Sequence, residues 1–371
     1  VHKAEGVKVA IDGLHRLNAI CPYFTMFPLS FPLDVLRSGF GPRDRVLDPF
    51  CGRGTTNMAA RLLGLWSLGV DSSPVAAAIT AAKLVRVSPE AIATETRNIL
   101  GQSTDVEVPS GEFWEWAFHR ETLQEIAKLR AALSEDCSAP ERIAIRGLVL
   151  GALHGPRTKG LPSHLSNQSP RTYAPKPAYA VRFWKARKMS PPRVAVAEVI
   201  ERRARRYYSN ELAATGHVLL ADSREPSVLE TFEQPFHWII TSPPYYGMRT
   251  YVPDQWLRNW FVGGPAEVEY SARSQLSHRS PEDFARDLRA VWRNAAAKAA
   301  KGATLVIRFG GISDRNADPT GILLESLEDT AWRVKLVRDA GKPNRGRRQA
   351  DTFLKHRPRP SGEIDVWAYR T

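Results

Sequence analysis

The stretch Thr241-Ser242-Pro243-Pro244-Tyr245 brings together groups that could do chemistry. It follows the apolar run Phe236-His237-Trp238-Ile239-Ile240 and precedes Tyr246-Gly247-Met248. An apolar run that ends in paired prolines predicts a buried strand leaving its sheet at the C-terminal end, where open α/β sheets keep their ligand sites. Pro243 and Pro244 fix their φ angles and remove backbone donors, which makes the turn stiff and leaves carbonyls facing outward. Ser242 adds a hydroxyl and Tyr245 a flat ring. A rigid acceptor pair beside a stacking face could hold a planar amine, such as the exocyclic amine of a nucleobase. The competing reading is a proline-stiffened turn after any buried strand.

A second constellation is Arg45-Val46-Leu47-Asp48-Pro49-Phe50-Cys51-Gly52-Arg53-Gly54-Thr55-Thr56, followed by Met58, Ala59, Ala60, Leu62 and Leu63 at helical spacing. It predicts strand, tight glycine turn, helix. Gly52 and Gly54 let backbone approach a ligand closely, and the helix start offers free N–H groups. A dinucleotide fingerprint wants a further glycine at 57, where this chain has Asn57, so a nicotinamide oxidoreductase is disfavoured. The next apolar run, Trp66 to Val70, ends at Asp71-Ser72-Ser73-Pro74. An acidic residue ending the second strand can accept from both hydroxyls of a ribose. Asp71 is therefore the ribose candidate, with Ser72 beside it, and Ser73 before Pro74 is a candidate helix cap.

Thr-Ser-Pro-Pro-Tyr resembles the catalytic tetrapeptide of the amino-group DNA methyltransferases, Asp/Asn/Ser-Pro-Pro-Tyr/Phe, and Asp-Pro-Phe-x-Gly-x-Gly-Thr-Thr resembles their cofactor loop. The resemblance covers about two-thirds of the chain. It implies S-adenosylmethionine as cofactor and no metal. Asp48, Pro49, Phe50, Cys51, Gly52 and Gly54 would line its methionine part, with Thr55 near the carboxylate; Cys51 reads as a small packing residue. Phe24 and Thr25 would fall where an aromatic- and proline-containing segment closes over the methionine end, and Asp222 would bind the adenine amine. Ser242, Pro243, Pro244 and Tyr245 would be catalytic: the Ser242 hydroxyl and Pro243 carbonyl accept from the target amine, and Tyr245 stacks on the base. Serine before Pro-Pro-Tyr is, by resemblance, more typical of enzymes that methylate the cytosine N4 amine, and aspartate of adenine-N6 enzymes. A DNA cytosine-N4 methyltransferase is thus the leading expectation. Its alternatives are an adenine-N6 enzyme, an RNA methyltransferase and a non-catalytic DNA-binding module. The partners implied are double-stranded DNA and, in a restriction-modification setting, a cognate restriction endonuclease.

These motifs need a sheet to hold them. Strand and helix alternate before residue 90 and after 215, predicting one doubly wound α/β sheet. The resemblance refines it to a Rossmann-like seven-stranded methyltransferase sheet with an antiparallel last strand and an inserted helical, basic target-recognition region. The expected division is 1–90, the first catalytic part with the cofactor loop; 91–214, the inserted region; and 215–371, the second catalytic part with the catalytic loop. Within the insert, Glu112 to Leu133 and Arg142 to Leu153 read as helices. After the insert, Asp254 to Phe261 reads as a short amphipathic helix with core tryptophans, Pro281 to Lys301 as a long helix, Ala303 to Phe309 as a buried strand, and Val334 to Val337 and Glu363 to Tyr369 as the last strands.

The chain's net charge is +13, and its sequence pI is near 9.8. Residues 151–210 hold nine arginines and four lysines against Glu198 and Glu201, so 13 minus 2 gives +11 within this segment. So local an excess predicts phosphate contacts from Arg157, Lys159, Arg171, Lys176, Arg182, Lys185, Arg187, Lys188, Arg202, Arg203, Arg205 and Arg206. A solvated basic face is the plainer alternative. Cys21, Cys51 and Cys137 are odd in number and widely spaced, which disfavours a disulfide framework or a paired metal site and points to a reducing compartment. With no membrane-length apolar run and no signal-peptide profile, the expectation is a soluble, cytoplasmic protein without membrane partners.

Overall fold

The computed structural model describes residues 16–23, 27–169, 174, 176–209, 213, 216–247, 251–269, 276–312, 317–341 and 360–371. The chain forms two compact units. One comprises Phe24–Thr80, Thr215–Arg249 and Arg273–Thr371; the other comprises Val1–Tyr23, Ala81–Ala214 and Thr250–Ala272.

The first unit is built on a seven-stranded sheet: β1 Arg45–Asp48, β2 Trp66–Asp71, β3 Gly216–Leu220, β4 Phe236–Thr241, β5 Ala299–Ile312, β6 Trp332–Gly341 and β7 Pro360–Arg370. Their order across the sheet is β3-β2-β1-β4-β5-β7-β6. The pairings from β3 to β5 are parallel, and β7 runs antiparallel to both β5 and β6. This is the expected Rossmann-like seven-stranded sheet with its reversed last strand. Because the chain steps from β1 outward to β2 and β3, then returns to β4 on β1's other side, the strand order reverses between β1 and β4. Ligands of open α/β sheets bind at such a switch point, beyond the carboxyl ends of the strands.

Parallel strands are covered on both faces and therefore read as near-continuous apolar runs. Val46, Leu47, Leu68, Ile239, Ile240, Leu305, Val306 and Ile307 are fully buried. At about 1.5–3 kcal/mol per buried aliphatic side chain, this strip fixes the register of the central strands and with it the position of the loops that follow them. Helix Pro281–Ala297 covers the sheet with Phe284, Leu288, Val291 and Trp292. It ends sooner than its alanine-rich sequence predicts, because Ala299 already pairs with Phe236 and Gly302 takes φ 77°.

The second unit is helical. Helices Pro89–Gly101, Arg120–Glu135, Pro140–Ala152 and Val196–Tyr207 form much of it. The helix predicted from 112 to 133 is broken into Glu112–Ala117 and Arg120–Glu135, with Phe118 extended between them. Trp256 and Trp260, each 2% exposed, are core residues here and meet Trp114 at ring-centroid distances of 5.8 and 4.6 Å. Among the described residues, no helix is long and apolar enough to cross a membrane, and no group of three or more His, Cys, Asp or Glu could hold a metal ion.

Candidate active site

The glycine turn after β1 is shaped by backbone conformations that only glycine adopts cheaply. Gly52 and Gly54 have φ 51° and 72°. A Cβ on Gly54 would fall 2.7 Å from Thr80 Oγ1, so position 54 also has no room for a side chain. Thr80 Oγ1 itself donates to the Gly52 carbonyl at 3.0 Å, and Gly52 N donates to Asp71 Oδ2 at 2.8 Å. The turn is thereby tied to the end of β2. Helix Thr55–Leu62 starts directly after it with Thr55 buried. Asn57, the residue that breaks the dinucleotide spacing, is fully buried and donates to Ser67 on β2 at 3.1 Å.

Asp48 ends β1 at 1% exposure. Its Oδ1 accepts from Thr241 Oγ1 at 2.6 Å and from Phe50 N at 3.1 Å, while its buried Oδ2 has no hydrogen-bond partner among the described residues. Thr56 Oγ1 lies near this carboxylate but donates to the Ile240 carbonyl at 3.1 Å. Burial is the dominant influence and pushes the Asp48 carboxyl up to about 7 against the opposing hydrogen bonds. Asp71 is half-buried and accepts from Gly52 N and from Ser73 N, the latter at 2.9 Å. Burial raises its carboxyl to about 6. Ser72 next to it is exposed. The Pro49 carbonyl accepts from Ser223 Oγ at 2.6 Å, Phe50 packs edge-on against Trp292 at 6.1 Å, and Cys51 is buried as a packing residue with Sγ 3.8 Å from Thr80 Oγ1.

The catalytic candidates leave the sheet at the end of the neighbouring strand, β4. Ser242 is half-buried, Pro243 buried, and Pro244 and Tyr245 half-buried. Tyr245 donates its hydroxyl to Glu363 Oε1 at 2.7 Å and sets its ring edge-on to Phe309, centroids 5.8 Å apart. Tyr246 packs against Phe284 and His278, and Gly247 N donates to His278 Nδ1 at 3.0 Å. Asp222 follows β3 and is gripped by Arg224, with Nε 3.0 Å from Oδ1 and Nη2 2.6 Å from Oδ2; Arg224 Nη1 also reaches Asp287 at 2.8 Å. Burial alone would raise the Asp222 carboxyl, but Arg224 holds it below the ordinary range.

Asp48, the 49–54 turn, Asp71, Asp222 and Ser242 to Tyr245 thus all sit at or just beyond the carboxyl ends of β1 to β4. Phe24 and Thr25 lie outside the described residues. Sequence reasoning assigned no role to Thr241, and did not single out Thr80, Ser223, Arg224 or Glu363. Apart from Arg224, which stands two places from Asp222, each is a common residue type whose partner is distant in the chain.

The basic candidates divide by environment. Lys159, Lys176, Arg182, Lys185, Arg187, Lys188, Arg205 and Arg206 are exposed. Lys185 is ion-paired with Glu112, and Arg205 with Glu201 at 2.7 Å. Arg157 is exposed but donates to Asn167 Oδ1 at 2.9 Å. Arg202 and Arg203 turn toward protein carbonyls, those of Pro162 at 2.6 Å and Ile20 at 2.7 Å. Arg171 lies outside the described residues.

A DNA methylase family model matches residues 8–82, which include the turn from Asp48 to Thr56 and Asp71. This match supports the amino-group methyltransferase family, methyltransferase activity and S-adenosylmethionine as the cofactor. No curated protein matches the chain. Among solved structures, the rRNA methyltransferase aviRa from Streptomyces viridochromogenes is 12% identical over 93% of this chain and 86% of its own, at a TM-score of 0.35. TrmN from Thermus thermophilus is 11% identical over 93% of this chain and 49% of its own, at 0.34. An rRNA methylase from Streptococcus thermophilus is 7% identical over 94% and 98%, also at 0.34.

Proposed function

We propose that this chain transfers a methyl group from S-adenosylmethionine to the exocyclic N4 amine of cytosine in double-stranded DNA. The observation that carries the reading is the buried 2.6 Å hydrogen bond between Thr241 and Asp48. It joins the ends of adjacent parallel strands at the switch point, so the glycine turn and the Ser242-Pro243-Pro244-Tyr245 loop leave the sheet side by side. A cofactor turn and an amine-binding turn need that adjacency if a methyl group is to pass directly between them.

The chain's residues suit a cationic methyl donor. The positive-φ turn offers close backbone approach, Asp48 Oδ2 is a buried acceptor without a hydrogen-bond partner among the described residues, and Asp71 is a half-buried carboxylate at the end of β2. The donor supplies an electrophilic sulfonium methyl. Ser242 and the Pro243 carbonyl accept the amine's N–H bonds and favour its pyramidal form, in which the lone pair is withdrawn from the ring and available for attack. Tyr245 stacks on the base. Those contacts require the base to leave the duplex, as they do for other enzymes that modify bases.

Residues 91–214 act as the DNA-recognition region in this reading, with the exposed cations of 151–210 on phosphates. Transfer of label from a methyl-tritiated donor tests it. Cytosine-containing duplex DNA is expected to take up label, and excess RNA is expected not to compete. Label in RNA alone would replace the DNA assignment, and label in neither, with donor still bound, would remove the catalytic one.

A further inference from the structure

The Tyr245 phenol sits in a seat made by residues far from it in sequence. Its hydroxyl donates to Glu363 on β7, and its ring meets Phe309 on β5 at an interplanar angle of 85°. Glu363 lies opposite Gly310 in the β5–β7 pairing. A Cβ on Gly310 would come within 3.1 Å of Tyr245 Cζ, 3.2 Å of its hydroxyl and 3.1 Å of Glu363 Cγ. A methyl group at 310 would crowd both side chains, which would have to give by a few tenths of an ångström. Gly310 needs no left-handed conformation, so the requirement is space rather than φ.

We propose that Glu363 is a positioning residue for methyl transfer: through the Tyr245 hydroxyl, and in the space left by Gly310, it fixes the plane of the ring that receives the target base. The inference rests on the reading of Ser242 to Tyr245 as the catalytic loop. A tyrosine χ2 well is broad, so a ring held by apolar contact alone rocks about its axis. The hydroxyl lies on the χ2 axis, so its bond to Glu363 acts on the ring plane through the preference of a phenol for an in-plane O–H, while the edge contact at Phe309 acts away from the axis; together they make the face a fixed wall. A bare stacking platform would work equally well as phenylalanine. This seat gives the hydroxyl a task, and so distinguishes Tyr245 from the Phe that the resembling motif also allows.

The test uses the full chain and duplex DNA with 2-aminopurine at the target position, whose fluorescence rises when the base leaves the duplex stack and is quenched again in part where it stacks on a held tyrosine ring. Glu363→Ala and Tyr245→Phe are each expected to lower kcat/KM by about tenfold, the order of one hydrogen bond to a charged group. Donor affinity should stay unchanged and quenching should fall. Their double variant should be no worse than either single, because both changes remove one contact. Glu363→Gln, whose amide oxygen still accepts, should restore most of the rate and the quenching; Gly310→Ala should behave like Glu363→Ala. Wild-type kinetics and quenching in folded Glu363→Ala would overturn the inference, as would additive losses or a Gln variant as impaired as the Ala variant. If the wild-type protein itself binds donor but neither quenches nor methylates, the catalytic-loop reading fails first and this inference falls with it.

Discussion

At Asp48 a cost in stability coincides with the proposed donor site. Its carboxyl rises from 3.8 to about 7 because burial penalises the charged form. A folded-state value above the unfolded one means that the unfolded chain sheds this proton first, so the contribution of Asp48 to stability declines as pH climbs from about 4 to about 7. Asp48→Asn removes that penalty and keeps an oxygen for the Thr241 and Phe50 donors. Relative to wild type, the variant is expected to gain stability across that window, by roughly 1–4 kcal/mol at pH 8, as read by urea unfolding at pH 5 and pH 8. Its affinity for S-adenosylmethionine should drop, since a positively charged ligand favours the ionised carboxylate. Greater stability with undiminished affinity would make Asp48 purely structural. Asp71 is expected to act differently. Asp71→Ala removes an acceptor that holds Gly52 N as well as the one proposed for the ribose, so donor affinity should fall by at least roughly tenfold in a folded protein. Titration calorimetry showing an unchanged dissociation constant would take Asp71 out of the site.

At the scale of elements, helix Val196–Tyr207 illustrates both the reach and the limit of sequence patterns. Its excess of arginine reads as a phosphate-binding surface, but helical periodicity assigns those arginines to different faces. Val196, Val199, Ile200 and Ala204 form the buried stripe. Arg203 lies between Val199 and Ala204 around the helix and turns inward to the Ile20 carbonyl, and burial lowers its pKa. Arg205 and Arg206 point away and are exposed. Replacing Arg205 and Arg206 by Gln is expected to reduce the log-log salt slope of DNA binding by about two units, near one per lost phosphate contact, with unfolding unchanged. Arg203→Gln should leave the slope alone and cost about 1–3 kcal/mol in stability. Equal slopes for all three proteins would show that this helix faces solvent rather than DNA. The inward turn of Arg203 was readable from a three- and four-residue count; the identity of its acceptor, 183 residues away, was not.

For the whole molecule, the sequence revealed what is periodic or punctuated. Apolar runs stopped by Asp48-Pro49, Asp71 and Ser242-Pro243 marked the strands and the edge at which they end, because burial and proline act locally. The seven-stranded sheet and its antiparallel last strand were legible through the resemblance and the alternation of strand and helix, whereas the order of the strands was not. What stayed hidden is long-range. Neither the Thr241–Asp48 bond nor the Tyr245–Glu363 bond leaves a local trace, since each joins ordinary residues 193 and 118 positions apart. The membership of 250–272 in the helical unit was equally silent, although Trp256 and Trp260 were recognisable as core. The central claim concerns the atom that accepts the methyl group. It is tested most directly by incubating unmodified duplex DNA with the protein and S-adenosylmethionine, digesting to nucleosides and identifying the methylated product by mass spectrometry. N4-methylcytosine is predicted, and it should vanish in a folded Ser242→Ala/Tyr245→Ala double variant. N6-methyladenine alone would overturn the choice of base while leaving the amine chemistry in place; 5-methylcytosine would contradict the account, because methylation of a ring carbon needs a covalent nucleophile, and the thiol of the proposed site, Cys51, is buried in packing against Thr80.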